Sequence, residues 1–257
     1  VAGAAGPLLV RGGGTRMLGH AVGEVLETSG LSGVELYEPA ALTLVVRAGT
    51  PLAEVERVLA GERQRLAFEV PDLRGLLGRE GVSTIGGVVA ANASGPRRVQ
   101  VGACRDALLG VRFVDGAGTV VKNGGRVMKN VTGYDLVKLL AGSRGVLGVL
   151  SEVSFKVQAL PEAEATLIVE GFADEDGLSV LRSALGSPFD ISGAARHSGR
   201  SLIRVEGMAG SVAYRVGRLR DRVGGDVTVV EGEASARLWR EVRDVLPLQG
   251  KPGEVWR

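Results

Sequence analysis

The chain has 257 residues, of which 45% are hydrophobic and 23% charged, a composition that indicates a folded globular protein and excludes a disordered one. Its 31 basic and 29 acidic residues give a net charge of +2, and only 4% of residues are aromatic, so nucleic acid is not expected as the main partner. One cysteine and two histidines exclude an intrachain disulfide and predict no metal site, and no apolar run approaches the length of a transmembrane segment.

The first half of the chain alternates short strand patterns with glycine-rich turns. A strand is predicted at residues 7–11, directly before a glycine run, and another at residues 42–47. Thr50 is the predicted N-cap of a helix that begins at Pro51 and runs to about Gly61, because apolar residues from Leu52 onward fall at helical spacing. The further elements predicted are a buried helical turn at 88–93, a hairpin of strands 107–114 and 119–122, a short helix at 136–140 and a strand at 147–157.

After residue 160 the glycine clusters stop and a plainer pattern begins. We therefore predict two domains, 1–160 and 161–257. The second has the order strand, helix, strand, strand, helix, strand of the ferredoxin-like arrangement, predicted at 165–171, 174–185, 190–196, 201–206, 211–223 and 226–230. A last helix is predicted at 234–245. Residues 254–257 look like the start of a strand and residues 1–10 like protein interior, so we expect the protein to continue beyond both ends.

Forty glycines are an excess, because glycine is favoured where the backbone adopts a positive φ or approaches a ligand. The run Arg11-Gly12-Gly13-Gly14-Thr15 follows a strand directly, so its backbone N–H groups can converge on an anion beside a positive charge. Taken alone, such a run favours a flexible turn. The chain contains no NTPase phosphate loop, and no G-x-G-x-x-G both follows a strand and opens a helix, so neither an NTPase nor a Rossmann site is predicted.

An ordered series of motifs gives the glycine run a context. It is followed by Ser83-Thr84-Ile85-Gly86-Gly87, Asn92-Ala93-Ser94-Gly95-Pro96-Arg97-Arg98, Lys129-Asn130-Val131-Thr132-Gly133-Tyr134-Asp135-Leu136 and Gly142-Ser143-Arg144-Gly145-Val146-Leu147-Gly148-Val149. This series resembles the FAD-binding domain of the vanillyl-alcohol oxidase and p-cresol methylhydroxylase (PCMH) superfamily, and its fuller strings resemble the E subunits of bacterial glycolate oxidases. The resemblance covers about residues 7–160. It implies an α+β protein with a PCMH-type two-subdomain FAD-binding domain and a ferredoxin-like α+β cap domain, incomplete at its C-terminus.

The resemblance implies FAD as the cofactor and a role for each matching position. Residues Arg11, Gly12, Gly13, Gly14 and Thr15 would surround the pyrophosphate. The other cofactor-binding residues that it implies are Pro71 near the flavin, Ser83, Thr84, Gly86 and Gly87 at phosphate and ribose, Gly145 and Leu150 toward adenine, and Asn92, Ser94, Gly133 and Tyr134. Members with covalently attached flavin commonly carry a histidine after the glycine pair of the first loop. Here that position is Gly14, so noncovalent FAD is predicted.

No catalytic residue is predicted with a defined role. Tyr134 and Asp135 could transfer protons, but capping of a helix by Asp135, with Tyr134 packed beneath it, is the favoured interpretation. Arg97 and Arg98 fit a carboxylate ligand, an acidic partner surface or a solvated pair on a loop, and the last is the default. No catalytic role is expected for the two histidines, since His20 is interpreted as a surface or loop residue and His197 as a solvent-exposed one. Cys104 is expected to be a small buried residue.

The leading functional hypothesis is an FAD-binding subunit of a complex that oxidises glycolate, a small 2-hydroxy acid, to glyoxylate. The resemblance implies two partners, a second flavoprotein subunit and an iron–sulfur subunit. The single cysteine is typical of a protein of the reducing cytoplasm, and the partners could place the chain peripherally at the inner face of the membrane. Of the hydride acceptor, base and carboxylate-binding cation that this oxidation requires, the sequence visibly supplies the first. Two alternatives stay open, a stand-alone FAD-linked D-lactate or sugar dehydrogenase or oxidase, and a non-catalytic assembly subunit.

Overall fold

The computed structural model describes residues 1–17, 22–126 and 133–254. The predictions for His20, for motif residues 129–132 and for the final strand at residues 255–257 lie outside these ranges. The chain forms two compact units, the first made of residues 1–94 and 103–160 and the second of residues 95–102 and 161–257. The sequence-based domains, divided after residue 160, stay a prediction, and the units differ from them in placing residues 95–102 with the second unit.

Two parallel strands open the first unit. They are β1 (Leu8–Arg11) and β2 (Glu24–Glu27), and their register places Arg11 opposite Glu27. The chain leaves β1 into the glycine run, as the sequence predicts. Strand β2 has one partly buried residue among exposed ones, so it lacks the apolar alternation that would have revealed it.

A six-stranded antiparallel sheet forms the body of the first unit. Its strands are β3 (Val34–Glu38), β4 (Thr43–Arg47), β5 (Gln64–Leu66), β6 (Leu108–Val114), β7 (Val120–Gly124) and β8 (Val149–Ala159). The order is β3-β4-β8-β6-β7, and β5 pairs with the end of β8. The predicted hairpin corresponds to β6 and β7, joined by a turn in which Asp115 accepts hydrogen bonds from the backbone N–H groups of Ala117 and Thr119.

The first unit also contains helices. They are α1 (Leu52–Gly61), α2 (Arg74–Leu77), α3 (Ile85–Ala90), α5 (Cys104–Ala107) and α6 (Leu136–Leu140), while α4 (Arg98–Val101) belongs to the second unit. Helix α1 buries Val55 and Leu59, which share one face at a spacing of four residues. Its N-cap is Pro51 rather than the predicted Thr50. The rings of Phe68 and Phe155 lie 5.9 Å apart in the core.

The second unit has the predicted ferredoxin-like order, which is confirmed. Its elements are β9 (Ala163–Glu170), α7 (Asp174–Leu185), β10 (Gly193–His197), β11 (Arg200–Gly207), α8 (Ala209–Val223), β12 (Asp226–Glu231) and α9 (Gly232–Arg243). The antiparallel sheet has the order β10-β11-β9-β12. Strand side chains alternate between its two faces. Apolar residues such as Leu167, Ile203 and Val205 therefore pack under α7 and α8, while α9 packs with its buried Trp239 on Ile168 and Leu202.

The face of this sheet under α9 also contains buried charges. Arg97, from residues 95–102, donates two hydrogen bonds to Glu206, from Nε to Oε2 at 2.9 Å and from Nη2 to Oε1 at 2.8 Å. The Nε of Arg204 lies 3.6 Å from the same carboxylate, and its guanidinium lies 4.5 Å from the ring centre of Trp239. Because buried charges require partners, this cluster ties residues 95–102 to the second unit.

A chain of hydrogen bonds continues on the same face. The indole N–H of Trp239 donates to Thr166 Oγ1 at 2.7 Å, Thr166 Oγ1 lies 2.7 Å from Ser235 Oγ, and that hydroxyl donates to Glu164 Oε1 at 2.6 Å. Each buried polar group in this chain has a partner, which is the condition for such groups to be tolerated in a core. Burial is the main cause that raises the pKa of Glu164.

Candidate functional site

The glycine run lies against a neighbouring loop of the first unit. Gly14 has φ +69°, in the left-handed region that suits glycine. A Cβ on Gly13 would lie 1.5 Å from the carbonyl oxygen of Val82, and one on Gly12 would lie 2.3 Å from Thr84 Oγ1. Gly12 and Gly13 are therefore required by the contact between two protein segments, independently of any ligand.

Helix α3 borders the same region and begins at Thr84. The Thr84 hydroxyl accepts a hydrogen bond from the backbone N–H of Gly87 at 3.3 Å. A Cβ on Gly86 would lie 2.7 Å from the carbonyl oxygen of Ala48, so this glycine lets α3 approach the backbone after β4. A Cβ on Gly87 would meet only the Thr84 hydroxyl, at 3.3 Å, so Gly87 leaves open space.

That open space belongs to two adjoining cavities in the first unit, of about 290 and about 60 Å³. The two cavities share five of their lining residues, Val10, Gly12, Gly87, Ala90 and Arg144. Of the residues predicted from the sequence, those at the larger cavity are Arg11, Gly12, Gly13, Gly14, Thr15, Thr84 and Gly87. Those at the smaller cavity are Gly12, Gly86, Gly87, Gly145 and Leu150.

The remaining predicted residues do not line either cavity. Pro71 and Ser83 are connected to the larger one through Arg16, which hydrogen-bonds to both. The side chain of Asn92 accepts a hydrogen bond from the backbone N–H of Arg105 at 3.0 Å. The other residues in this group are Ser94, Gly133 and Tyr134. The cofactor-binding roles assigned from the sequence stay predictions.

Arg16 lines the larger cavity and was not predicted from the sequence. Its Nη1 donates to Ser83 Oγ at 2.6 Å and to Thr15 Oγ1 at 3.2 Å, and its Nη2 donates to the carbonyl oxygen of Pro71 at 3.0 Å. Burial is the main cause that lowers the pKa of Arg16, and Asp72 opposes it. A guanidinium nevertheless stays protonated in proteins, so Arg16 holds a fixed positive charge in place beside the glycine run.

Arg11 contributes less charge to the cavity than the sequence suggests. Its side chain pairs with Glu27 across the β1–β2 pair, with Nε donating to Oε1 at 2.7 Å. The residues that line the two cavities within the described ranges include no Asp, Glu, His, Lys or Tyr. The cavities therefore offer glycine backbone, the hydroxyls of Thr15 and Thr84, and arginines, a donor set that fits an elongated anionic ligand such as a dinucleotide.

Proton transfer is the second requirement of a hydroxy-acid oxidation. A general base for it needs a side chain that exchanges protons near neutral pH, and among the described residues none of that kind lines the cavities. Among residues 1–17, 22–126 and 133–254, no three His, Cys, Asp or Glu side chains cluster in a way that could hold a metal ion. No helix in those ranges is long and apolar enough to span a bilayer.

Several individual predictions have clear outcomes. The capping role of Asp135 is confirmed, since its Oδ1 accepts from the backbone N–H of Lys138 at 3.0 Å, but Tyr134 is 88% exposed rather than packed. Arg97 is not a solvated loop residue, because Glu206 holds it in a buried ion pair. The prediction of an exposed His197 is wrong, because only 11% of its side chain is exposed. Cys104 is buried as predicted, and burial raises the pKa of its thiol.

Two charged residues of the described cavity lining were not predicted from the sequence, Arg16 and Arg144. Arg16 directly follows the glycine run, and an arginine at that position carries no motif of its own. Arg144 lies within the last glycine-rich motif. That motif predicted a cofactor contact through its glycine backbone and assigned no role to the arginine. A search for cations beside each predicted anion-binding turn would have found both.

Comparisons with known proteins identify the family of the chain. The family model of the FAD binding domain matches residues 1–124. Glycolate oxidase subunit GlcE of Escherichia coli (strain K12) is 37% identical over 254 residues, which are 98% of this chain and 68% of that protein. Glycolate oxidase subunit GlcD of Bacillus subtilis (strain 168) is 32% identical over 166 residues, 63% of this chain and 34% of that protein.

A solved structure supports the fold. Alkyldihydroxyacetonephosphate synthase matches with a TM-score of 0.69 at 18% identity, over 94% of this chain and 51% of that one. The chain thus spans about two thirds of GlcE, a third of GlcD and half of the synthase. Because the GlcE match covers nearly the whole chain and the FAD binding domain model covers the glycine run and α3, the chain belongs to the family of glycolate oxidase subunit GlcE, and its cofactor is FAD.

Proposed function

We propose that this chain is the FAD-binding subunit of a glycolate oxidase complex, which oxidises glycolate to glyoxylate and passes the electrons to partner subunits. The observation that carries the proposal is the convergence of the glycine run, Thr84 and Gly145 on two adjoining cavities of one unit. These three segments are far apart in the sequence, and each belongs to a motif that indicates FAD.

The residues at the cavities have distinct roles in this proposal. The backbone N–H groups of residues 11–15 hold the FAD pyrophosphate, with the Thr15 and Thr84 hydroxyls as additional donors. Gly145 and Leu150, at the smaller cavity, face the adenine end. FAD is held noncovalently, with Gly14 at the position where a histidine would attach it. When bound, FAD supplies the acceptor for the two electrons of the oxidation.

We assign proton abstraction and electron acceptance to different subunits, because the described cavity lining contains no general base. Oxidation of a 2-hydroxy acid requires a base near the hydroxyl, and the described cavity lining has no side chain suited to that step. We therefore assign proton abstraction to a second flavoprotein subunit, for which the similarity to GlcD is the support. An iron–sulfur subunit receives the electrons, and the complex is cytoplasmic, at the inner face of the membrane through its partners.

The central experiment measures bleaching of the flavin spectrum under anaerobic conditions. Glycolate and D-lactate are added separately to the purified chain and to the chain co-purified with its partner subunits. Bleaching by glycolate only with the partners present is the expected result. Bleaching of the isolated chain would favour the stand-alone dehydrogenase, and a colourless chain that cannot be reconstituted with FAD would favour the assembly subunit.

Attachment of the flavin is tested by denaturation. Acid precipitation of the yellow chain should leave the flavin in the supernatant, because no covalent bond holds it. Yellow colour in the washed precipitate would contradict the noncovalent assignment. FAD identified by chromatography of the supernatant, rather than FMN, would support the dinucleotide site over a mononucleotide one.

A further inference from the structure

The arginines at the larger cavity differ in their protein partners. Arg11 is paired with Glu27, and Arg16 donates to Ser83, Thr15 and Pro71. The exposed side chain of Arg144 makes no hydrogen bond or ion pair with any residue in the described ranges. Its charge is therefore available to a ligand.

The backbone fixes the position of Arg144. Its φ is +54°, a left-handed conformation that residues with a Cβ disfavour. The N–H of Arg144 donates to the carbonyl oxygen of Ala90 at 2.9 Å, and that of Gly142 donates to Val89 at 3.0 Å, so the turn is held on the end of α3. Residues kept in such conformations are concentrated at ligand sites, where the surrounding structure enforces them.

Arg144 also lies where the two cavities meet, because it lines both. A dinucleotide carries its pyrophosphate between its two nucleoside halves, so an extended ligand that occupies both cavities would present its negative charge at this junction. An arginine can bind phosphate oxygens through two parallel N–H groups. We propose that Arg144 binds the FAD pyrophosphate and supplies the counter-charge that Arg11 does not; this inference rests on the proposed FAD site.

The test measures the affinity of the flavin-free full chain by calorimetry, with FAD, ADP and riboflavin as probes. Arg144→Gln should weaken FAD and ADP binding by about ten- to a hundredfold, the loss expected for a charge-assisted hydrogen bond. Riboflavin, which has no phosphate, should bind as it does to the wild type. Arg144→Lys should lose less, because it keeps the charge without the planar fork.

Arg63 provides a matched control. It is exposed, has φ +52° and lines neither cavity, so Arg63→Gln should leave all three affinities unchanged. Equal weakening by Arg63→Gln and Arg144→Gln would overturn the inference, because the effect would then be one of overall charge. Wild-type FAD affinity in Arg144→Gln would overturn it as well.

Two further variants separate the possible failures. Gly87→Val, which fills the cavity, should abolish FAD binding; if it does so while Arg144→Gln binds normally, the FAD site stands and the role of Arg144 fails. If Gly87→Val also retains FAD, the proposed site itself is wrong. Arg144→Gly relieves the left-handed strain, so this variant should unfold at the same urea concentration as the wild type or a higher one. Its FAD affinity should nevertheless be reduced, as in Arg144→Gln. This combination would exclude misfolding as the cause of the weaker binding.

Discussion

Replacing Arg97 by methionine should destabilise the protein by about 3 kcal/mol, at the lower end of the range for a broken buried ion pair. The side chains of Arg97 and Glu206 are only 7% and 3% exposed, and two hydrogen bonds of 2.8 and 2.9 Å join them. Removal of Arg97 leaves the carboxylate buried. Arg204, whose Nε lies 3.6 Å away, compensates part of the loss.

Replacing Glu206 by glutamine should cost more, about 5 kcal/mol, because Arg97 and Arg204 would then face each other as buried cations without their shared carboxylate. Urea unfolding followed by circular dichroism gives both free energies. The control is Arg47→Met, which breaks the exposed pair with Glu35, where the two side chains are 51% and 37% exposed. Such pairs contribute about 0–1 kcal/mol.

Equal losses for Arg97→Met and Arg47→Met would refute the assignment of Arg97 to a buried structural pair. A second outcome would be equally decisive. If Arg97→Met left the unfolding midpoint unchanged but weakened binding of glycolate to the complex, then Arg97 would be a carboxylate ligand, as one interpretation of the sequence suggests.

Three further predictions concern other sites. Gly87→Val should abolish FAD retention, whereas Gly61→Val, at the open end of α1, should not; equal retention would refute the cavity assignment. Thr166→Val leaves the buried indole N–H of Trp239 unpaired and should cost about 1–3 kcal/mol in urea unfolding, while Thr166→Ser should cost less. The raised pKa of Glu164 means that the folded state retains a proton longer than the unfolded state, so wild-type stability relative to Glu164→Gln should fall as pH rises above about 4.5; a constant difference would contradict this.

The sequence predicted the secondary structure best where the pattern was local and strong. The helix at 174–185 matches α7 in both bounds, and the βαββαβ order of the second unit is confirmed. Strands β2 and β3 were missed, because exposed and partly buried positions give them no clean alternation. The N-cap of α1 was wrong by one residue, since Thr50 hydrogen-bonds instead to Gly33 and Arg47.

For the candidate site, the sequence by itself determined which segments carry glycine and hydroxyl groups, because those signals depend only on neighbouring residues and on motif order. Only the tertiary structure decided which glycines serve packing, as Gly13 does against Val82, and which leave space, as Gly87 does. It also decided the partners of each charge. Ion pairing and cavity lining join residues that are distant in the sequence, and no local pattern records that Glu27 neutralises Arg11 while Arg144 keeps a free charge in the described part of the molecule.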